Sequence, residues 1–246
     1  MHKKLRMENT LYIALSYQTV MQRQMDVIAN NIANVSTPGF KGEQMMFVEY
    51  LNDAVGKDDV SFVQDIAVVR DFREGSFSRT ANPLDVAISG KGWLEVDTPN
   101  GMRYTRNGHL QIDAKNTLTT ASGHPVLGEN GRPINMPANG GNIVIAPDGT
   151  ISVDNQRVDR LKLVNFDNEQ LLRKDSESLY STDAPTLPAP QAKVAQGMIE
   201  ESNVKPIVEI TNMIGAMREF QSAQQMIEEE HKRQLTAIDT LTKTTA

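Results

Sequence analysis

Apolar residues recur at heptad spacing at the two ends of this chain and almost nowhere between them. Near the start, Leu11, Ala14, Gln18, Met21, Met25, Ile28, Ile32 and Val35 fall on one helical seam with a single polar member, the spacing of a strand in a coiled coil. Near the end, Ile210, Met213, Met217, Phe220, Gln224, Ile227, His231, Gln234, Ile238 and Leu241 repeat that spacing with three polar members. Each seam needs a partner and each can supply it for the other. The pattern therefore predicts that the termini pair and that the middle is displayed as a separate body.

The first helix is expected to begin at Asn9 or Thr10, residues suited to N-caps, and to end near Asn34. There Asn30-Asn31-Ile32-Ala33-Asn34-Val35-Ser36 runs into Thr37-Pro38-Gly39-Phe40. Asparagine tolerates left-handed backbone at a helix C-terminus. Pro38 and Gly39 suit the two central places of a type II turn, so Gly39 is expected at positive φ, with asparagine better tolerated there than valine. Capping accounts for the later asparagines; Asn30 lies too deep in the helix for that and is left for hydrogen bonds between subunits. The last helix is expected to be capped by Ser202 or Asn203, to hold Pro206 in its first turn, where N–H groups lack intrahelical partners, and to reach about Lys243.

Between the helices the period changes. From Lys41 to about Arg79 the pattern is mixed, with 45–48 and 60–63 as short strands or extended segments of a connector. From Pro83 to Leu163, Leu84, Val86 and Ile88 alternate with other residues. Asn100-Gly101, Asn107-Gly108, Asn130-Gly131 and Asp148-Gly149 are hairpin-type dipeptides, which predicts an antiparallel β domain. Trp93, Leu94 and Val96 before the first turn, Leu110 and Ile112 after the second, and Ile151 and Val153 after the fourth can share one core. Pro185, Pro188 and Pro190 disfavour helix and central strand and mark a return linker. The fold class is α+β, with terminal α-helices pairing as a coiled-coil-like assembly domain and a central antiparallel all-β domain. The boundaries fall at 7–40, 41–80, 81–181, 182–201 and 202–246.

Composition narrows the chemistry. An apolar share of 39% with 23% charge is that of an ordinary folded chain. Twelve methionines against seven phenylalanines and one tryptophan favour adaptable helical packing. Without cysteine there is no disulfide, thiolate metal site or cysteine nucleophile. A net charge of −6, with Lys3-Lys4-Arg6 as the only dense basic cluster, argues against nucleic acid as a partner. No apolar run approaches the roughly 18 to 20 residues of a membrane helix. The first six residues, followed by Glu8-Asn9-Thr10, do not form a signal-peptide core and read as an upstream extension.

His2, His109, His124 and His231 lack metal-site spacing. Gly90-Lys91-Gly92 lacks the third glycine and following helix of a dinucleotide fingerprint and reads as a tight turn. Asp85 and Asp113 read as solvent-facing or turn-fixing rather than acid–base groups. Glu228-Glu229-Glu230 beside Lys232-Arg233 reads as a solvated helical face, with pairing between subunits as the alternative. No catalytic, cofactor-binding or metal-binding residue is assigned.

The run Asn30-Asn31-Ile32-Ala33-Asn34-Val35-Ser36-Thr37, followed by Gly39-Phe40-Lys41, resembles the N-terminal signature of the axial proteins of the bacterial flagellum, the rod and hook family. Three further stretches are similar to the same family and in its order. They are Asn82 to Gly92, then Tyr104 to Asp113 with Gly123 to Leu127, and finally Gln196 to Pro206 continuing to Glu209, Met213, Ile214 and Arg218. The resemblance covers most of the chain. It implies a structural, non-enzymatic subunit without a cofactor, exported by the flagellar type III apparatus and polymerised in the periplasm. The product would be the basal-body rod, the drive shaft carrying torque from motor to hook.

Partners by the same resemblance are further copies of the chain and other rod proteins, with FlgC and FlgG as neighbours and FlgB as a further one. The short length and the opening Met7-Glu8-Asn9-Thr10-Leu11-Tyr12-Ile13 resemble a proximal-rod member; a distal-rod member or another axial subunit is the alternative. From a different class, a soluble coiled-coil adaptor whose β domain binds a ligand in an apolar pocket stays open. The residues assigned to assembly are Leu11, Met21, Met25, Ile28, Asn30, Asn31, Ile32, Asn34 and Val35, together with Ile210, Met213, Met217, Phe220, Ile227, Ile238 and Leu241. Thr37, Pro38, Gly39 and Phe40 are assigned to the turn.

Overall fold

The structure is a computed structural model that describes residues 2–52, 60–138, 140–175 and 178–244. A helix, α1 (His2–Ala33), is followed by two long strands, β1 (Glu43–Asn52) and β2 (Val60–Arg70). Shorter strands come next: β3 (Phe77–Arg79), β4 (Val86–Ser89), β5 (Trp93–Thr98), β6 (Gly101–Thr105), β7 (Leu110–Ile112), β8 (Leu118–Thr120), β9 (Ile143–Ile145), β10 (Thr150–Val153), β11 (Gln156–Arg160) and β12 (Leu163–Asn165). After a 3₁₀ turn at Glu169–Leu171 come β13 (Arg173–Lys174), β14 (Leu179–Ser181), β15 (Leu187–Pro188), β16 (Lys193–Gln196) and β17 (Met198–Glu200), and α2 (Pro206–Thr244) closes the chain. Two compact units result. One holds Met1–Ala33, Glu43–Val69 and Lys205–Ala246, the other Asn34–Gly42 and Arg70–Val204.

In the first unit α1 starts at His2, not at Asn9 or Thr10. The preceding Lys3, Lys4, Leu5, Arg6, Met7 and Glu8 are good helix formers, and a capping residue inside such a run is a weak stop. At 32 residues the helix is about 48 Å long. At the other end, the Glu209 N–H donates to Lys205 O at 3.1 Å, so Lys205 is the cap and Pro206 the first helical residue. Ser202 and Asn203 are not caps: the Ser202 hydroxyl accepts from the Val204 N–H ahead of the helix, and the Asn203 amide is engaged elsewhere, as described below. The two helices meet directly: the Tyr17 hydroxyl donates to Glu219 Oε2 at 2.6 Å. That hydrogen bond, with some burial, pushes the phenol up to about 12. Segments 45–48 and 60–63, expected as short pieces of a connector, belong to the longer β1 and β2, which pair with each other.

The second unit is β-rich. Its largest sheet has the order β13-β14-β6-β5-β12-β15, beside a three-stranded sheet β11-β10-β9 and the pairs β16–β4, β17–β3 and β7–β8. Its strand pairs are antiparallel. Strand β5 divides two apolar clusters, as alternation along a strand requires. Leu94 and Val96 join Val86, Ile88, Leu110, Leu118, Ile151, Val153 and Val194 in the main core. Trp93 joins Tyr104, Phe166 and Tyr180 in an aromatic cluster, with Trp93–Tyr180 and Tyr104–Phe166 meeting edge to face at 5.0 and 4.8 Å.

Three of the four dipeptides make turns. Asn100-Gly101 closes β5 onto β6, Asp148-Gly149 closes β9 onto β10, and Asn130-Gly131 closes a loop in which Gly131 N–H donates to Gly128 O. Asn107-Gly108 does not make a hairpin; there the chain passes under β4, with the Val86 N–H donating to Gly108 O at 2.9 Å. Gly90-Lys91-Gly92 is the turn between β4 and β5.

The segment expected as a return linker is structural. Within 182–201, β16 pairs with β4 and β17 with β3, so these residues close the unit. Pro188 sits on the edge strand β15, where a missing N–H leaves no ladder position empty.

Candidate assembly site

Of the helical residues singled out above, Met21, Ile28 and Asn31 are buried. Met25, Ile32, Asn34 and Val35 are half-buried, and Asn30 is exposed. The side chains of Leu11, Ile238 and Leu241 lie outside the described residues. On α2 the shielded positions are Ala216, Ala223 and Glu230, with Met213, Phe220, Ile227 and Gln234 half-buried. This seam keeps every second member of the expected one and replaces Met217, Gln224 and His231 by the residue before each.

Two alanines in the seam allow close helix approach, while several large apolar side chains of α2 lie outside it. Ile207, Ile210, Ile214 and Met217 form an exposed apolar stripe, with Ile210 and Met217 50% and 46% accessible. Glu230, expected on a solvated face, is buried and paired with Arg233. Asn31 is fully engaged within the subunit: its amide donates to Glu43 O (2.8 Å) and Glu209 Oε2 (3.3 Å), and its oxygen accepts from Glu43 N–H (2.9 Å).

The asparagine run ends in the expected turn. The Phe40 N–H donates to Thr37 O at 3.2 Å, the Thr37 hydroxyl donates to Asn34 Oδ1 at 3.1 Å, and Gly39 has φ +68°. Glycine is needed here for a second reason. A Cβ on Gly39 would lie 2.5 Å from the carbonyl carbon of Arg106, so asparagine, which suits the backbone angle, is excluded by contact.

Beneath the turn lies a buried charge cluster. Lys41 Nζ donates to Glu200 Oε1 at 2.6 Å and to Arg73 O at 2.8 Å. Arg106 Nε donates to Glu200 Oε2 at 2.7 Å, and its terminal nitrogens donate to the carbonyls of Ile88, Gly90 and Gly92. Gly39 N–H donates to Glu200 O (2.7 Å) and Gly75 N–H to Glu200 Oε1 (3.0 Å). Beside it, the Asn203 side chain accepts from Gly42 N–H (2.8 Å) and donates to Asp71 O and Arg73 O (2.7 and 3.0 Å). Phe40 is buried, with Lys174 Nζ 4.4 Å from its ring centroid.

Burial pushes the Glu200 carboxyl up, but the charges of Arg106 and Lys41 and their hydrogen bonds outweigh it and hold the group below the usual carboxylate range. Burial lowers Lys41, with Glu200 opposing and Arg106 adding to the effect.

Lys41, Arg106, Glu200 and Asn203 were not singled out as site residues above. The available signal was their place in the Gly39-Phe40-Lys41, Tyr104-to-Asp113 and Gln196-to-Pro206 stretches, which the fold brings to one point.

Elsewhere polar groups hold turns. Asp113 Oδ1 accepts from the N–H groups of Lys115 and Thr117. Asp85 is buried rather than solvent-facing, within 2.8 Å of His109 Nδ1 and accepting from Asn82 Nδ2. Among the described residues no group of three or more His, Asp or Glu is placed to hold a metal, and no helix is long and apolar enough to cross a membrane. An open groove of about 630 Å³ in the second unit is lined by Arg160, Lys162, Lys193, Asp148 and Glu129 as well as Leu163, Leu187 and Pro188.

Long helices at both ends, an apolar stripe left outside their contact and a β body locked by salt bridges define a structural subunit. Comparison with known proteins agrees. Residues 11–41 match the flagella basal body rod protein family, residues 87–153 the D1 domain of the flagellar hook protein FlgE/F/G, and residues 195–240 the C-terminal region of the flagellar basal body rod FlgEFG proteins. The chain is 37% identical over 243 residues to the flagellar basal-body rod protein FlgF of Caulobacter vibrioides, covering 96% of this chain and 99% of that one. It is 35% identical to FlgF of Escherichia coli, covering 90% and 93%, and 32% identical to the rod protein FlgG of Buchnera aphidicola from Acyrthosiphon pisum, covering 86% and 92%. The chain belongs to the flagellar basal-body rod proteins, structural components of the flagellum and not enzymes.

Proposed function

We propose that this subunit polymerises through its helical ends into the proximal part of the rod, with α1 and α2 pairing as a coiled-coil-like core. The observation that carries this reading is the exposed stripe Ile207, Ile210, Ile214 and Met217 on α2. It lies beside the seam that α2 uses within its own subunit, and a contiguous apolar surface of this kind marks an interaction site. A stripe that meets a different surface on the next copy makes a heterologous contact, and such contacts generate open helical polymers rather than closed dimers.

The neighbours in this reading are further copies, FlgC and FlgG, with FlgB beyond. The chain reaches the periplasm through the flagellar type III export apparatus and carries torque from motor to hook. The experiment is a pair of variants, Ile210→Asp and Ile214→Asp, in cells. Motility and intact rods should be lost while the purified variants keep the native Trp93 fluorescence. Normal swimming with complete basal bodies would remove the stripe from the assembly surface.

A further inference from the structure

Two buried cations, Lys41 and Arg106, share a single fully buried carboxylate, Glu200, and that carboxylate belongs to the last strand of the second unit. Lys41 comes from the segment after the turn and Arg106 from the residue after β6, whereas Glu200 arrives with β17. Two other acids lie near, Glu74, which stands 3.7 Å from Arg106 and is partly exposed, and Asp71, whose carboxyl is paired with Arg73 and feels the Lys41 charge. With β17 in place but its carboxylate removed, the closed unit would hold two like charges away from water with no buried counter-ion, the situation that protein interiors tolerate least. Arg106 does push Lys41 in the direction of losing its proton, and Glu200 opposes it.

The arrival of β17 neutralises the pair and at the same time satisfies the Gly39 and Gly75 N–H groups. The backbones touch at this point: a Cβ on Gly75 would sit 2.0 Å from the Glu201 carbonyl oxygen.

We propose that Glu200 is the closing clasp of the β unit, so that the unit has no stable half-closed form. A chain whose last strand has not arrived, or has lost its carboxylate, keeps the unit open.

The test uses the full chain as parent, Glu200→Gln, Lys41→Met and the double variant, with urea unfolding followed by Trp93 fluorescence and with hydrogen exchange on the parent. In the parent, amides of β16 and β17 should exchange through the same opening as those of β5 and β6. Glu200→Gln should lower the urea midpoint far more than Lys41→Met, or lose the native signal altogether. The double variant should recover a large part of that loss, since one of the two stranded cations is gone. If Glu200→Gln yields no folded protein, recovery in the double variant decides the matter. The proposal is overturned if β16 and β17 open while β5 and β6 stay protected, or if the double variant is no more stable than Glu200→Gln.

Discussion

Gly39 answers to two constraints, a left-handed backbone angle and a near-contact with the Arg106 main chain. The first was legible in Thr37-Pro38-Gly39-Phe40; the second was not, because it depends on a residue sixty-seven positions away in the sequence. Gly39→Ala and Gly39→Asn should therefore both destabilise the β unit, by about 2 to 4 kcal/mol from backbone strain plus overlap, as read by urea unfolding of Trp93. An asparagine variant as stable as the parent would contradict the near-contact. Ala81 presents the opposite case. It is an alanine at φ +61°, and Ala81→Gly should raise stability by about 0.5 to 1 kcal/mol in the same measurement by releasing left-handed strain. Asn31→Ala should cost roughly 2 kcal/mol, since it removes the buried amide that bonds both main-chain groups of Glu43.

The heptad pattern anticipated a helix at each end of the chain, and the seam it assigned on α2 differs in phase from the face that is shielded. Met213, Phe220 and Ile227 are shared by the expected and observed seams on α2, while the observed one takes Ala216 and Ala223 in place of Met217 and Gln224. Ranking positions by hydrophobicity favours the large side chains, whereas close packing of two helices favours small ones. Ile210 and Met217, large and apolar, lie off that face and stay exposed. Variants should separate the two: Ile28→Asp buries an unpaired charge and should destabilise the first unit by several kcal/mol, while Ile210→Asp should leave the melting of the isolated subunit unchanged within error.

The Tyr17–Glu219 bond offers a further check. A phenol raised to about 12 contributes stability that is fully present below its ordinary value near 10 and is lost as pH rises through the higher one. In Glu219→Gln the ultraviolet titration of one phenol should shift to lower pH.

At the scale of the molecule, the sequence announced a β middle between helical ends but misread residues 182–201. Proline there signalled a linker, because a lone sequence does not reveal that Pro188 sits on an edge strand and that Lys193 to Glu200 return to β4 and β3. The charge cluster that this return completes predicts acid sensitivity. The Glu200 carboxyl is held below its ordinary value near 4.5, so its contribution is intact above that pH and is lost as pH falls through the lower folded value. Trp93 fluorescence should report unfolding of the β unit in that acid range, and a signal unchanged through it would contradict the contribution of Glu200.

The second unit also has its entrance and exit side by side. Gly39 and Phe40 on the way in are hydrogen-bonded to Glu200 and Asn203 on the way out, at 2.7 and 3.4 Å. Tension applied to the two ends of this body would run from one strand to the other across that junction and bypass the sheets, as a loop of rope is bypassed when the load is carried by its knot. In single-molecule pulling, the β unit should resist until the junction shears and then extend without a series of smaller steps. Strands peeling off one at a time before the junction yields would show that load enters the sheets directly.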